Sequence, residues 1–305
     1  MCGFTGFYLN NISQKQDLLD QVNLMSNAIE HRGPDDSGAW VEEGIGLAMG
    51  HRRLSIVDIS EAGHQPMHSQ SSRFIIAFNG EIYNHKELRA QLELLLRDSI
   101  WRGASDTETL LAAFEYWGVE NTLDRLVGMF AISLWDKIEK KLYLIRDRFG
   151  EKPLYFGWIN TPNDSVFAFG SELKSFRAYK GFSNKVSRVA LKEYFRFMYV
   201  PAPYSIYENI FKLEAGCMLI LDGIPPKPAS DDPPHPFEGI DFVYSNIIVK
   251  KWYSVKDRIS SQVSKSFKSK RVAYDALEKQ LQETIRIQSE ADVPLGAFLS
   301  GGVDS

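Results

Sequence analysis

The spacing of hydrophobic residues predicts helices at three places in the first half of the chain. Over Lys15–Glu30, the apolar side chains that fall on one helical face are Leu18, Val22, Met25 and Ile29. Asn84 and Ser105 each stand three residues ahead of a glutamate and just before another helical stripe, which is the pattern of a capping box. The sequence therefore predicts three amphipathic helices, the last with Asp106 at its first helical position.

Short runs rich in β-branched and aromatic residues predict strands between and after these helices. The runs are Phe4–Leu9, Ile45–Met49, Arg73–Phe78, Met129–Trp135, Leu142–Ile145 and Val166–Phe169. Asn79-Gly80 follows the third run, and we interpret it as a tight turn from strand to helix because a helical segment opens at Asn84. This alternation favours a sheet-rich sandwich that carries a few helices.

The pattern changes after about Phe211. Residues Leu221–Ile240 include six prolines, which exclude a helix or a central strand and predict a long surface loop. Beyond the loop, the residues that share one helical face are Tyr274, Leu277, Leu281 and Ile285. Val293–Leu299 then predicts a buried strand ending in a glycine turn, so a second domain is expected to begin near Arg271.

Composition and charge narrow the class of protein. The chain has 305 residues, which corresponds to about two domains of ordinary size. Hydrophobic residues make up 44% and charged residues 24%, values that exclude a disordered, collagen-like or coiled-coil chain. Because 35 basic residues face 39 acidic ones, no positive field attracts a nucleic-acid backbone. We expect a globular protein that does not bind nucleic acid.

Cysteine content and the lack of long apolar runs predict the compartment. Cys2 and Cys217 are too few for a disulfide framework, which favours a reducing cytoplasm. The sequence shows neither a secretory signal at its start nor the roughly 20 apolar residues of a membrane span. A cytoplasmic protein without a membrane anchor is expected.

Cys2 is the first candidate for chemistry. Removal of Met1 would give this cysteine a free α-amino group, whose ordinary pKa of about 8 suits a general base at neutral pH. Nucleophile and base would then belong to one residue. The alternative interpretation is an incidental cysteine at an exposed terminus.

Further candidates could bind a substrate. Asn79 and Gly80 supply a side-chain amide and an unhindered backbone N–H, the donors of an oxyanion hole, with the Glu81 carboxylate beside them. The Arg53 guanidinium suits a carboxylate, although such an arginine is more often part of a surface ion pair. Asp106 complements its helix dipole unless a substrate ammonium requires a partner.

The last residues of the sequence predict a phosphate site. Ser300-Gly301-Gly302 follows the predicted strand, and glycines let backbone N–H groups approach phosphate oxygens. The loop lacks the lysine of a Walker motif.

Two histidine-containing segments are assigned no chemistry. His31–Gly38 is interpreted as a structural turn after a helix. His64 and His68 have the spacing of a metal pair, but Pro66 interrupts the helix that would align them. No metal site is predicted.

Together, these motifs resemble the class II glutamine amidotransferases. The segments that match in order and spacing are Cys2-Gly3, His31–Asp35, Arg53–Ile56, Asn79–Asn84, Ser105–Glu108 and Arg146–Gly150. Ser300–Ser305 narrows the resemblance to glutamine-hydrolysing asparagine synthetases. The resemblance implies an α+β fold, a four-layer αββα sandwich of the N-terminal-nucleophile type, followed by the start of an α/β nucleotide α-hydrolase-like domain. The implied ranges are a glutaminase domain over 2–212, a connecting segment over 213–270 and the opening of an ATP-binding synthetase domain over 271–305.

The resemblance also assigns roles to residues. Cys2 would attack the glutamine side-chain amide and form a thioester, while Asn79 and Gly80 hold the oxyanion. The residues implied to bind glutamine are Arg53 at the α-carboxylate and Glu81 with Asp106 at the α-ammonium. The residues implied to bind ATP are Leu299, Ser300, Gly301, Gly302, Asp304 and Ser305.

The same resemblance implies cofactors and partners. The full-length enzymes use ATP and Mg²⁺ to activate aspartate as an adenylate, and ammonia from glutamine converts it to asparagine, while the glutaminase half needs no cofactor. The expected partners are glutamine, ATP and aspartate, with the aspartate site outside this sequence, and a homodimer is one expected assembly.

Two alternatives stay open at this point. One is a related amidotransferase with another acceptor, such as a sugar acid. The phosphate loop argues against phosphoribosyl and fructose-phosphate amidotransferases, and intact Cys2 and Asn79-Gly80 argue against the β-lactam synthetase type. The other alternative is a non-catalytic regulatory fragment.

Overall fold

The computed structural model describes residues 2–10, 14–96, 101–162, 164–228, 242–262 and 267–302. The strands in this part of the chain are β1 (Gly3–Tyr8), β2 (Asp36–Glu42), β3 (Leu47–Arg53), β4 (Met67–His68), β5 (Phe74–Ile82), β6 (Gly128–Asp136), β7 (Lys141–Arg146), β8 (Tyr155–Asn160), β9 (Ser165–Gly170), β10 (Ile210–Lys212), β11 (Cys217–Asp222), β12 (Phe242–Tyr244) and β13 (Ile247–Lys251). The α-helices are α1 (Lys15–Asn27), α2 (His85–Leu95), α3 (Asp106–Trp117), α4 (Val119–Arg125), α5 (Leu173–Arg177), α6 (Arg188–Phe197), α7 (Val255–Gln262) and α8 (Lys270–Gln288).

The strands form two antiparallel sheets that pack face to face. The first sheet has the order β10-β8-β9-β1-β3-β2, and the second has the order β12-β13-β11-β7-β6-β5-β4. Phe4 from the first sheet and Trp135 from the second belong to one buried cluster between them. Helix α1 covers the outer face of the first sheet through Val22, and α3 covers that of the second through Phe114. The predicted αββα sandwich is therefore confirmed.

Alternation along β5 decides which of its side chains face the first sheet. Ile75 and Ala77 lie in the cluster between the sheets, whereas Phe78 packs towards the helices. Because successive strand residues point to opposite faces, Asn79 and Glu81 lie on the same face as Ile75 and Ala77.

The predicted turn at Asn79-Gly80 is wrong. Strand β5 continues to Ile82, and its last residues pair with β6 from Asn79 opposite Ala131 to Ile82 opposite Gly128. An unbroken partner strand supplies ladder hydrogen bonds that outweigh the local turn preference of Asn-Gly.

The two predicted helix caps have different outcomes. Ser105 caps α3, since its hydroxyl accepts a hydrogen bond of 3.2 Å from the Glu108 N–H. Asn84 does not cap α2, because its side chain instead bonds the Arg125 carbonyl at 3.0 Å and the Val127 N–H at 2.9 Å. Asn84 therefore ties β5 to the segment that leads into β6.

Several strands lie outside the predicted runs. Strands β2, β8 and β10 of the first sheet and β4 of the second were not expected from the sequence pattern. Strands β11, β12 and β13 fall within the predicted connecting segment and extend the second sheet as far as Lys251. Of the proline-rich loop, residues 229–241 lie outside the described residues.

Helix α8 carries the predicted apolar stripe on an exposed face. Tyr274 and Ile285 are 67% and 64% exposed, and Leu277 and Leu281 lie on the same face. Among the described helices, none is both long and apolar enough to cross a lipid bilayer.

The predicted buried strand over Val293–Leu299 is wrong. The segment is not a strand, and Leu299 is 84% exposed. A central strand is buried only when neighbouring strands pair with it and helices cover it. Within the described residues, no strand pairs with this segment.

Candidate active site

A cavity of about 90 Å³ brings together the residues predicted to act on glutamine. The predicted residues that line it are Cys2, Arg53, Asn79, Gly80, Glu81 and Asp106. They come from four distant parts of the sequence: the start of β1, the end of β3, the last residues of β5 and the first turn of α3. The sandwich brings these element ends to one place.

Cys2 lies directly before β1, and its side chain contacts the backbone of Leu54. The Leu54 N–H donates to the Cys2 sulfur at 3.4 Å, and the thiol lies 3.5 Å from the Leu54 carbonyl. Burial is the largest influence on the thiol and raises its pKa, while the hydrogen bond from Leu54 opposes this shift. A thiol that resists ionisation requires a base at the site in order to act as a nucleophile.

The contacts of Arg32 show that the segment His31–Gly38 is more than a structural turn. Its Nε donates to the Cys2 carbonyl at 2.9 Å, and its Nη1 pairs with Glu172 at 2.8 Å. Arg32 thus fixes the backbone of the candidate nucleophile. Because the two residues meet only in the folded sandwich, no local sequence signal marks this contact.

The outer edge of β5 presents N–H groups towards the cavity. The Phe78 N–H donates to Gln65 Oε1 at 2.7 Å, and the Ile82 N–H donates to Asp106 Oδ2 at 2.9 Å. By strand alternation, the Gly80 N–H faces the same edge between these two, and Gly80 borders the cavity. A Cβ at this position would lie 2.2 Å from the Met129 carbonyl oxygen, so only glycine fits here.

Asn79 places an unused donor in the same cavity. The residue is 1% exposed, and within the described residues its Nδ2 has no hydrogen-bond partner. Buried amide donors are normally paired, since an unpaired one costs about 1–3 kcal/mol. Asn79 Nδ2 and the Gly80 N–H are therefore available to a group that enters the cavity.

Arg53 is surrounded by carbonyl groups of the loop that follows β3. Its Nη1 donates to the Ser60 carbonyl at 3.0 Å, and its Nη2 donates to the Asp58 carbonyl. Gly63 packs so closely that a Cβ there would lie 1.8 Å from Nη2. These contacts fix the guanidinium at the cavity wall. The sequence pattern did not indicate a role for Gly63.

Glu81 and Asp106 form an acidic pair with raised pKa values. Burial raises the pKa of Asp106 to about 6. Burial and, second, repulsion from Asp106 raise the pKa of Glu81 to about 7. Lys152, which the sequence reasoning missed, also lines the cavity, and burial lowers its pKa. A cation bound beside the two carboxylates would favour their charged forms.

The segment after α8 contacts the loop around Arg53. The Asp292 N–H donates to the Ile56 carbonyl at 2.9 Å, and Asp292 Oδ2 accepts from the Asp58 N–H at 2.7 Å. Glu290 pairs with Lys86 at 2.9 Å on the neighbouring helix α2. This contact, also not expected from the sequence, steadies the loop whose carbonyls hold Arg53.

The residues predicted to bind ATP do not line this cavity. Leu299, Gly301 and Gly302 are exposed, and Ser300 Oγ accepts from the Gly302 N–H at 3.2 Å. Asp304 and Ser305 lie outside the described residues.

Comparisons with known structures agree with the fold. Glutamine phosphoribosylpyrophosphate amidotransferase from Bacillus subtilis superposes with a TM-score of 0.52 at 19% identity, over 72% of this chain and 47% of that one. A structure described as the allosteric regulatory enzyme of purine biosynthesis gives 0.53 at 20% identity, with the same coverage. At these identities the likeness shows the fold alone.

Sequence relatives match over the whole chain. Glutamine-hydrolyzing asparagine synthetase 1 of Bacillus subtilis is 34% identical over 310 residues, which cover 100% of this chain and 43% of the relative. Amidase chry2 of Gibberella zeae is 28% identical over 314 residues, which cover 100% of this chain and 42% of the relative. The chain thus spans about half the length of the relatives that it matches.

Two family models match different parts of the sequence. The model for the asparagine synthase family matches residues 276–305. The model for the glutamine amidotransferase domain matches residues 1–224, which is most of the 305-residue chain. The chain therefore belongs to the glutamine amidotransferase domain family.

Proposed function

We propose that this chain hydrolyses glutamine to glutamate and ammonia in the cavity beside Cys2. The observation that carries the proposal is the buried, unpaired Asn79 Nδ2 in the same cavity as the Cys2 thiol. A donor that lacks a partner in the free protein gains one when an oxyanion forms next to the nucleophile.

The proposed reaction uses Cys2 as both nucleophile and base. Removal of Met1 frees the α-amine, which takes the thiol proton, and the thiolate attacks the side-chain amide carbon of glutamine. The tetrahedral oxyanion accepts hydrogen bonds from Asn79 Nδ2 and the Gly80 N–H. The protonated amine returns its proton to the departing ammonia and leaves a thioester. Water, deprotonated by the same amine, then releases glutamate and restores the thiol.

The remaining cavity residues would recognise the amino-acid end of glutamine. Glu81 and Asp106 provide negative charge for the α-ammonium, which would favour the charged forms of a buried and a half-buried carboxylate whose pKa values are raised in the free protein. Arg53 would pair with the α-carboxylate, since its guanidinium is already oriented by the Ser60 and Asp58 carbonyls.

We extend the proposal to the whole protein as a cytoplasmic asparagine synthetase in amino-acid biosynthesis, on the strength of the relatives that carry this name. This extension includes ATP, Mg²⁺ and aspartate as ligands of the whole protein and a homodimer as its assembly. Ser300, Gly301 and Gly302 form no nucleotide cradle within the described residues, and no metal-binding cluster occurs among those residues. A related amidotransferase with another acceptor is the second candidate, since not every relative that matches over the whole chain is named an asparagine synthetase.

The direct test measures glutamate released from glutamine, with the N-terminal mass determined on the same sample. We expect glutamate and ammonia in equal amounts from chains that have lost Met1. A sample that retains Met1 should be inactive, because an acylated amine cannot act as a base. Asparagine is the matched control substrate, since its shorter side chain cannot reach Cys2 from the acidic pair. Failure of a processed sample to release glutamate would favour the non-catalytic alternative.

Glutamine binding should weaken as the pH falls through about 7 to about 6. The Glu81 and Asp106 carboxylates titrate at about 7 and about 6, and only their charged forms attract the α-ammonium. Below these values affinity should fall by about tenfold per pH unit for each ionisation that binding requires. Calorimetry with the Cys2→Ala variant measures binding without turnover, and Glu81→Gln should bind more weakly with a flatter pH profile. Equal affinity at about pH 5 and about pH 8 would contradict this assignment.

A further inference from the structure

His51 links the two sheets through a single buried hydrogen bond. The residue lies on β3, is fully buried, and its Nε2 is 2.9 Å from the carbonyl oxygen of Phe78 on β5. Since a carbonyl oxygen only accepts, Nε2 carries the proton in this contact. The imidazole therefore acts as a donor from the first sheet to the second.

The Phe78 carbonyl depends on this donor because it lies on the free edge of β5. Strand β4 pairs with Ile75 and Ile76, and none of the described strands pairs with this edge of β5 at Phe78. Phe78 lies opposite Ile132 of β6 in the ladder, but its N–H points away from β6 and donates to Gln65 Oε1. Side chains thus replace the missing strand, with Gln65 at the N–H and His51 at the carbonyl. A buried backbone group without such a partner is costly.

His51 is suited to a structural hydrogen bond and not to proton transfer. Burial lowers its pKa to about 4, so the ring is neutral at physiological pH. Within the described residues its Nδ1 has no hydrogen-bond partner. His51 does not line the cavity, and any influence on the reaction must pass through the groups that it holds.

The positions at the two ends of this bond matter for the site. His51 pairs in the ladder with Phe4 of β1, two residues after Cys2. Phe78 immediately precedes Asn79, and Gly80 follows. One hydrogen bond therefore connects the strands next to the nucleophile with the strand that supplies both oxyanion donors.

We propose that His51 is a positioning residue of the oxyanion hole, which sets the distance of Asn79 and Gly80 from Cys2. This inference rests on the proposed glutamine hydrolysis. Misplacement of a preorganised donor by about 1 Å can cost on the order of 100-fold in rate. Of the groups proposed to bind the α-carboxylate and the α-ammonium, Arg53 and Glu81 lie on the same two strands, and Asp106 lies on α3. The Arg53 guanidinium is held separately by the Ser60 and Asp58 carbonyls, so the substrate contacts depend less on His51 than the oxyanion donors do.

The test compares three variants in the full chain. His51→Phe keeps a ring of similar size but removes the donor, and we expect kcat to fall about 10- to 100-fold with KM changed less than about threefold. His51→Gln restores an N–H near the position of Nε2 and should recover most of kcat. Leu47→Met is the packing control, because it alters the same strand and the same inter-sheet face but leaves the Phe78 carbonyl its partner.

Alkylation of Cys2 by iodoacetamide separates this role from general damage. Alkylation needs the nucleophile but forms no oxyanion, so its rate at Cys2 in His51→Phe should stay within about threefold of wild type. Combination with Asn79→Ala should be less than additive in kcat, since both changes impair the same hole. Additive losses, or an equal loss of alkylation, would overturn the inference.

The outcomes also separate this inference from the proposed function. A wild-type chain that processes its N-terminus but does not hydrolyse glutamine overturns the proposed function, and with it the role of His51. An active wild type with an unchanged His51→Phe rate overturns the inference about His51 alone.

Discussion

Cys2→Ala is expected to reduce glutamine hydrolysis below detection, by at least about 10⁴-fold in kcat. Cys2 lines the same cavity as Asn79 and Gly80, and among the described residues that line it no other side chain is a thiol. The substitution also leaves the backbone contacts of residue 2 available, because Arg32 bonds the carbonyl and not the side chain. Glutamate release from purified protein measures the effect.

Cys217→Ala is the matched control for Cys2→Ala. Cys217 is 4% exposed in the core between the sheets and does not border the cavity. Its replacement should lower stability by about 1 kcal/mol or more through lost packing, while kcat stays near the wild-type value. If Cys2→Ala retained activity, or if Cys217→Ala abolished it in a folded protein, the assignment of Cys2 as nucleophile would be wrong.

Asn79→Ala is expected to lower kcat by about 10²–10³-fold with little change in KM. Within the described residues Asn79 Nδ2 has no hydrogen-bond partner, so we expect its strongest interaction to be made when the oxyanion forms. Residual activity should remain, because the Gly80 N–H still serves the hole, and this distinguishes the variant from Cys2→Ala. Steady-state kinetics with glutamine give both constants.

Asn84→Ala is the control on the same segment. Its side chain bonds the Arg125 carbonyl and the Val127 N–H and does not border the cavity, so its loss should affect stability more than kcat. Binding of glutamine to a Cys2→Ala/Asn79→Ala protein should match that of Cys2→Ala alone. An Asn79 variant that raised KM and left kcat intact would indicate a role in substrate binding and not in the oxyanion hole.

Local patterns were sufficient to predict most of the elements around the site. Helix α1, the cap of α3 at Ser105 and strands β1, β5 and β6 depend on periodicity and capping, which act over a few residues. The wrong predictions concern segments whose conformation depends on a partner that is distant in sequence. Strand β5 continues through Asn79-Gly80 because β6 lies beside it, and Val293–Leu299 is not a buried strand because no described strand pairs with it.

The residues of the candidate site divide in the same way, into those that sequence motifs indicated and those that only the structure revealed. The sequence motifs named Cys2, Arg53, Asn79, Glu81 and Asp106, and the structure gathers them around one cavity. It also adds supporting residues whose role at the site no local pattern indicated. These are Arg32 at the Cys2 carbonyl, Gln65 and His51 at the Phe78 amide groups, Lys152 in the cavity wall and Asp292 at the Arg53 loop.

The amino-acid sequence by itself therefore determined the chemistry that is available: a second-position thiol, an amide with a glycine N–H, and an acidic pair. Tertiary structure alone decided that these groups line one cavity, that the Asn79 amide nitrogen has no partner among the described residues, and that burial raises the pKa of Glu81 to about 7. The physical reason is that a sequence motif fixes only which side chains are present at neighbouring positions of the chain. Distance, desolvation and the pairing of donors depend on which strands lie side by side, and only the packed sandwich sets that arrangement.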